Sequence, residues 1–301
     1  MKKALIYGIL GSFFFAFTFV LNRSMNLSGG HWIWSASLRY LFALPIIALI
    51  VKLRYGFKNI HSAIKAQPVY WLVWSTVGFG LFYAPLSFAG DYGESWLVAA
   101  SWQITIFIGV LLTPLFGKRI PIKNLLVTGI ILAGVFLMQL KDIAAMRTDA
   151  VLLTLLPIIV AATAYPLGNR KLMAVCGDTL STFERVYGTL LCSIPFWLIL
   201  SVIGVTTVGL PSPQQSFQAF LVAVFSGVVA TILFFQATNL VKTNQKQLAV
   251  IESTQSGEVI FTLLGGILLL GDSVPDVWGF VGVGLIIFGM IFNSLLCVSK
   301  R

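Results

Sequence analysis

The chain has 301 residues, 58% of them apolar and 10% charged, and 20 Lys and Arg against 10 Asp and Glu give it a net charge of +10. A soluble domain carries about 25% charged residues, whereas Val186 to Val241 here is a run of 56 residues without one Asp, Glu, Lys, Arg or His. This excludes a soluble enzyme, a disordered chain and a nucleic-acid-binding domain, and it puts the chain in a lipid bilayer.

About 20 apolar residues span about 30 Å of hydrocarbon as a helix, and ten segments answer to that length. In chain order they are Ala4–Asn22, Trp32–Leu53, Val69–Gly90, Ser95–Phe116, Asn124–Leu140, Ala150–Gly168, Thr182–Val202, Phe217–Val241, Gln247–Gly271 and Val277–Cys297. The expected fold class is therefore an all-α integral membrane protein with ten transmembrane helices. Loops between spans are short and carry turn residues, among them Ser28-Gly29-Gly30, Gly117 with Pro121, and Pro211-Ser212-Pro213. Lys2-Lys3 followed by an apolar run resembles a signal peptide, but the run exceeds the usual h-region and no small-x-small site follows, so it reads as a retained first span. The stretch Arg54–Pro68, with Lys58, His61 and Lys65 among apolar residues, reads as a short helix lying on the membrane surface.

With the N-terminus inside, the cytoplasmic ends and loops hold 15 of the Lys and Arg residues, from Lys2 and Lys3 through Lys118, Arg119 and Lys242 to Lys300 and Arg301. The opposite side holds 3, namely Arg23, Lys141 and Arg147, while Arg39 and Arg185 lie within spans. The positive-inside rule then places both termini in the cytoplasm of a cell-membrane protein and explains most of the positive charge without nucleic acid as a partner. Cys176, Cys192 and Cys297 are odd in number and widely spaced, which indicates neither a disulfide framework nor a metal site, and no cofactor is expected.

The halves echo each other at offsets of 146–154 residues: Asn22-Arg23 with Asn169-Arg170, Arg39 with Arg185, and Phe107, Gly117 and Pro121 with Phe261, Gly271 and Pro275. Gly129 and Gly134 stand opposite the glycine-rich last span (Gly279, Gly282, Gly284, Gly289). Five spans per half, 1–147 and 148–301, insert the second half upside down, the inverted-repeat plan of secondary transporters with a substrate site near the midplane.

Leu38-Arg39-Tyr40-Leu41-Phe42-Ala43-Leu44-Pro45 resembles the second-helix signature of the drug/metabolite transporter superfamily. Gly257-Glu258-Val259-Ile260-Phe261 through Leu270-Gly271-Asp272 resembles its ninth-helix signature, with Glu258 in place of the usual Pro and Asp272 in place of Glu. The stretch Glu252-Ser253-Thr254-Gln255-Ser256-Gly257-Glu258 is most similar to the ten-helix bacterial multidrug resistance efflux branch. The resemblance implies a ten-helix exporter with cytoplasmic termini. Four-helix relatives bind proton and drug on a first-helix glutamate; the span Ala4–Asn22 has no acid, so that role does not carry over.

An ionisable group at mid-membrane costs at least about 2.5–3.5 kcal/mol, so such residues are rare and are functional or paired. Glu252, Gln255 and Glu258 fall within an arc of about 120° on one helix. Glu258, halfway along its span, is the candidate to alternate between a proton and a cationic substrate; a hydrogen-bonded structural glutamate is the alternative. Glu252 either pairs with Arg185 as a cytoplasmic gate or touches substrate. Glu184 is expected near the headgroups and able to reach water. Arg39 lies about 10 Å from the outer face, to be met by backbone carbonyls, by outward snorkelling or by an anionic substrate group. Trp102, with Gln103 beside it, and Tyr83 are candidates to line a cavity, an aromatic wall that suits a lipophilic cation. Trp32, Trp34, Trp71, Trp96 and Trp278 read as an interfacial belt, and Asp91 and Glu94 as a solvated outer loop.

No catalytic set and no P-loop emerges. The first reading is a proton-coupled exporter of small cationic or amphipathic organic molecules by alternating access. The second is an exporter or facilitator of an amino acid or other metabolite whose carboxylate meets Arg39 or Arg185. The third is an integral-membrane enzyme or lipid-handling protein. The partners are then a small-molecule substrate, protons and the bilayer, with monomer and oligomer both open.

Overall fold

The computed structural model describes residues 1–117, 119–138, 140, 148–176, 179–241, 247, 250–251 and 254–298. Helices and turns, and no strand, make up the described residues. In chain order they form α1 (Lys2–Leu27), α2 (Trp32–Arg54), the short α3 (Lys58–Ala66), α4 (Pro68–Tyr92), α5 (Ser95–Leu111), α6 (Ile122–Met138), α7 (Thr148–Cys176), α8 (Thr182–Thr207), α9 (Pro213–Thr238), α10 (Thr254–Leu270) and α11 (Val277–Val298). Six of these, α1, α2, α4, α7, α8 and α9, contain stretches long and apolar enough to cross a bilayer, and α5, α6, α10 and α11 are shorter apolar helices. The chain is an all-helical, multi-pass membrane protein. The surface segment expected over Arg54–Pro68 is helical as α3, pinned by the buried Ile60.

Helix ends follow local chemistry more closely than hydropathy. α1 runs past Asn22 because nothing stops it before Gly29, whose φ of 81° only glycine adopts without strain, and the Gly30 N–H closes the turn on the Met25 carbonyl at 2.8 Å. α8 opens with a capping box: the Ser181 hydroxyl accepts from the Glu184 N–H at 3.2 Å, and the Glu184 carboxylate accepts from the Ser181 N–H at 2.9 Å. Glu184 is therefore buried in a cap and does not reach water.

Several helices depart from regular geometry in mid-course. α4 passes through a π turn at Thr76–Gly80, α9 at Ala223–Ala230 and α10 at Gly266–Leu270. α5 breaks at Gln103, and α10 begins with a 3-10 turn, Thr254–Ser256. Such interruptions are tolerated inside a membrane where neighbouring helices cover the freed backbone groups.

Packing is reciprocal between the early and late helices. α1 lies against α9 and α10, while α7 lies against α4 and α5; α2 packs on α8 and α9, and α8 on α4. α5 meets α10, and α6 meets α11. The last pair crosses at glycine: a Cβ built on Gly134 stands 2.6 Å from the Gly282 carbonyl oxygen, and one built on Gly282 stands 2.6 Å from that of Gly134. The main core joins Tyr40, Tyr83, Trp71 and Trp197. Large apolar side chains such as Leu268, Leu269 and Val277 face outward.

The belt of tryptophans is corrected in part. Trp71 is fully buried against Gly188, and Trp34 and Trp96 are also buried, because small residues opposite them leave room for an indole; Trp278 is exposed.

Candidate functional site

The interior is organised around Arg39 on α2. Its guanidinium donates to the Thr18 hydroxyl of α1 at 3.3 Å and to the Ser226 hydroxyl of α9 at 3.3 Å, and it lies over the Tyr83 ring of α4 at 4.0 Å. Thr18 and Ser226 are bonded to each other at 2.6 Å. Neutral hydroxyls and a ring face thus meet Arg39, in place of the backbone carbonyls or the outward reach expected for it. Tyr83 is fully buried and exchanges hydrogen bonds with Asn22 at 3.1 and 3.3 Å. Tyr40 stacks on Trp197 at 4.3 Å between centroids.

Glu258 sits in the first turn of the regular part of α10, directly after the 3-10 turn, and is half-buried. Glycine makes its neighbourhood close-packed: a Cβ on Gly257 would touch Ser12 of α1 at 3.5 Å, and one on Gly8 would overlap Thr254. Gln255, one turn earlier, is half-buried.

Trp102 packs on Phe82 at 5.0 Å and meets Tyr165 edge-on at 5.6 Å, while Phe82 and Tyr165 lie 4.8 Å apart. Gln103 is buried and turns back on its own helix, its amide donating to the Ala99 carbonyl at 3.2 Å, where it fills the break in α5. Arg185 is half-buried on α8. Glu252, and with it the Arg185–Glu252 pair, lies outside the described residues, as do Lys118, Lys141, Arg147, Lys242, Lys246, Ser253, Lys300 and Arg301.

At the N-terminal end of α5 the helix ends are tied together. Asp272 accepts from the Ser95 N–H at 2.9 Å and from the Ser95 hydroxyl, and lies 3.8 Å from Arg23 Nε. Glu94 accepts from the Trp96 indole at 2.8 Å and from the Ser273 N–H at 3.2 Å. Asp91 accepts from the Trp32 N–H at 3.3 Å. Asp91 and Glu94 are bonded components of this closure and not a solvated loop, because the opposing helix ends bring their unpaired N–H donors to them. A crevice lined by Asn22, Arg23, Gly90, Ser95 and Val98 lies between this cluster and the Asn22–Tyr83 pair.

Thr18, Ser226, Tyr165 and the pairing of Arg23 with Asp272 were not expected from charge or motif, and Asn22, Arg23 and Asp272 stood out only through the repeat, the loop charges and the ninth-helix signature. The available signal is polarity within an apolar span, as at Thr18, Asn22 and Ser226.

The model of the family described as "EmrE: Putative multidrug resistance efflux transporter" matches residues 2–299. The chain is 48% identical over 312 residues to "Uncharacterized protein YjlA" of Bacillus subtilis (strain 168), covering 99% of this chain and 96% of that one. It is 44% identical over 268 residues to an "Uncharacterized 42.1 kDa protein in intracellular alkaline protease 3'region" of Shouchella clausii, covering 86% and 70%.

Proposed function

As the chain belongs to the EmrE multidrug resistance efflux transporter family, it is a multi-pass membrane transporter of small molecules, and we propose that it exports small, positively charged or amphipathic organic solutes by proton-coupled alternating access. The observation that carries this reading is a pair of ionisable groups within apolar helices, Glu258 on α10 and Arg39 on α2, with Arg39 over the ring of the buried Tyr83 and Trp102 packed on Phe82. Glu258 is the carboxyl that exchanges a proton for the solute's positive charge. The α1–α9 and α7–α4 pairs, the α1–α10 and α7–α5 pairs, and the α2–α9 and α8–α4 pairs support ten spans in two inverted halves, 1–147 and 148–301. Each pair becomes its partner when the halves are exchanged. The reciprocal Gly134–Gly282 crossing and the mid-helix π turns of α4 and α9 fit the same exchange. Two such halves have two nearly equivalent arrangements, one open to each side. In this reading the Arg23–Asp272–Ser95 cluster closes the outer face.

The test is transport in proteoliposomes with an imposed pH gradient, wild type against Glu258→Gln. Loss of pH-driven movement in the variant, with its elution from gel filtration unchanged, is the expected result. Undiminished pH-driven movement in Glu258→Gln removes the carboxyl from the mechanism.

A further inference from the structure

Independently of what the chain carries, we infer that the face bearing α3 is a binding surface for anionic phospholipid headgroups, held by Lys52, Arg54, Lys58 and Lys65.

A short amphipathic helix at a membrane surface ordinarily rests its apolar side in lipid. Here that side belongs to the protein itself. Ile60 is fully buried, its Cδ1 standing 2.6 Å from the position of a Cβ built on Gly188, and Phe57, Ala63 and Ile64 pack on the main core. Phe57 stacks on Tyr187 of α8 at 5.1 Å, and the Tyr187 hydroxyl and His61 Nε2 share a hydrogen bond at 3.2 Å. Lipid tails are thus not what holds α3 in place.

The opposite side of the helix is what remains for the surroundings. Lys58, Ser62 and Lys65 fall within an arc of about 60° at 100° per residue. All three are exposed, as are Lys52 and Arg54 in the last turn of α2.

The chain supplies little to answer this charge. Residues 1–90 contain no Asp or Glu. Among the described residues none of the four basic side chains takes part in an ion pair. Glu184, next to the Phe183 that stacks on Tyr55, is buried and engaged in its capping box. Helix dipoles favour Lys52, Arg54 and Lys65, which lie in last turns, but oppose Lys58 in the first turn of α3, where no acid accompanies it.

The neighbours of the patch set its depth. Leu53 is 75% exposed and Val69 71%, one at the end of α2 and the other at the start of α4, both helices long and apolar enough to cross a bilayer. Apolar side chains so open face acyl chains, and basic groups beside them reach the headgroups. A phospholipid with an anionic headgroup meets the charges and the apolar rim together, whereas a soluble anion meets the charges alone.

The test is a titration of the full-length protein in neutral detergent, followed by its thermal midpoint. The probes are short-chain phosphatidylglycerol, phosphatidylcholine with the same chains, and glycerol 3-phosphate. Phosphatidylglycerol is expected to reach its half-maximal upward shift at a concentration about fivefold or more below phosphatidylcholine, the scale of one basic side chain meeting an anionic headgroup. Glycerol 3-phosphate is expected to give no shift over the same range. Lys52→Gln, Arg54→Gln, Lys58→Gln and Lys65→Gln together are expected to abolish the preference. Lys2→Gln, Lys3→Gln, Arg119→Gln and Lys123→Gln, an equal loss of charge elsewhere, are expected to keep it. Equal or absent shifts with the two lipids overturn the inference on the wild-type protein alone, as does a preference that survives the first set or disappears equally in the second. Glycerol 3-phosphate acting as well as phosphatidylglycerol would make the patch a site for a soluble anion and also overturn it. No transport is measured, so the outcome is separate from that of the pH-gradient experiment.

Discussion

Asp272 shows how a single carboxylate joins three parts of the chain. It lies just past the end of α10, accepts from the first residue of α5 and faces Arg23 near the end of α1. Its side chain is 2% exposed and that of Arg23 19%, so the ion pair is only weakly screened. Asp272→Asn keeps the shape but loses the charge that answers Arg23, whose buried Nε has no hydrogen-bond partner. The closed arrangement should lose about 1–3 kcal/mol. Val98 lines the crevice beneath and is 2% exposed. A cysteine placed there, with native cysteines replaced, is expected to react faster with a membrane-impermeant maleimide in the Asp272→Asn background. Unchanged labelling means that the cluster does not close that face. On the proposed repeat, Lys118 corresponds in sequence to Asp272 and Arg170 to Arg23, so the second position carries two like charges and no acid. Arg170 instead donates to the Gly109 carbonyl at 2.7 Å. Charged residues such as Arg39 and Glu258 were legible from sequence because a charge within an apolar span has few explanations. The hydroxyls that hold Arg39 were not, because most helical hydroxyls bond their own backbone, as Thr128 and Thr189 do. Only the fold separates Thr18 and Ser226 from these.

Among the elements, the α6–α11 pair is the clearest case of glycine deciding how close two helices come. Gly134 and Gly282 each face the other's carbonyl at a distance that admits no Cβ. Gly134→Ala therefore pushes the helices apart, and overpacking of this kind costs about 1–3 kcal/mol. Gly284 lies on the same helix as Gly282 with nothing within 4 Å of its Cβ position. Gly284→Ala should instead gain the helix propensity of alanine, about 0.5–1 kcal/mol. Opposite shifts of the thermal midpoint in detergent are expected, downward for Gly134→Ala and level or upward for Gly284→Ala; a matching fall in both would mean that the crossing does not depend on close approach. Helix positions were readable because hydropathy reports burial in lipid directly, and the terminators Gly117 and Gly271 were readable because both adopt left-handed conformations, φ 69° and 70°. The break at Gln103, the 3-10 turn at Thr254–Ser256 and the π turns were not. They arise where contacts with neighbouring helices outweigh the local hydrogen-bond pattern, and no composition marks them.

For the whole molecule, inversion depends on parity. Five spans carry the chain across the bilayer an odd number of times, so a second set of five must run in the opposite sense and return the chain to its starting side. On the proposed ten spans, 15 Lys and Arg fall on one face against 3 on the other, which by the positive-inside rule predicts both termini in the cytoplasm, and the paired helix contacts support an exchange of two halves. These arguments are independent, since one counts loop charges and the other counts no charge at all. Fusions of a reporter that is active only in the cytoplasm, and of one active only outside it, at Met1 and at Arg301 read the two ends separately. Both ends are expected to light the cytoplasmic reporter alone. Ends in different compartments would require an odd total of spans, which no pair of equal halves can supply, and the proposed midplane site would lose the symmetry that lets it open to each side in turn.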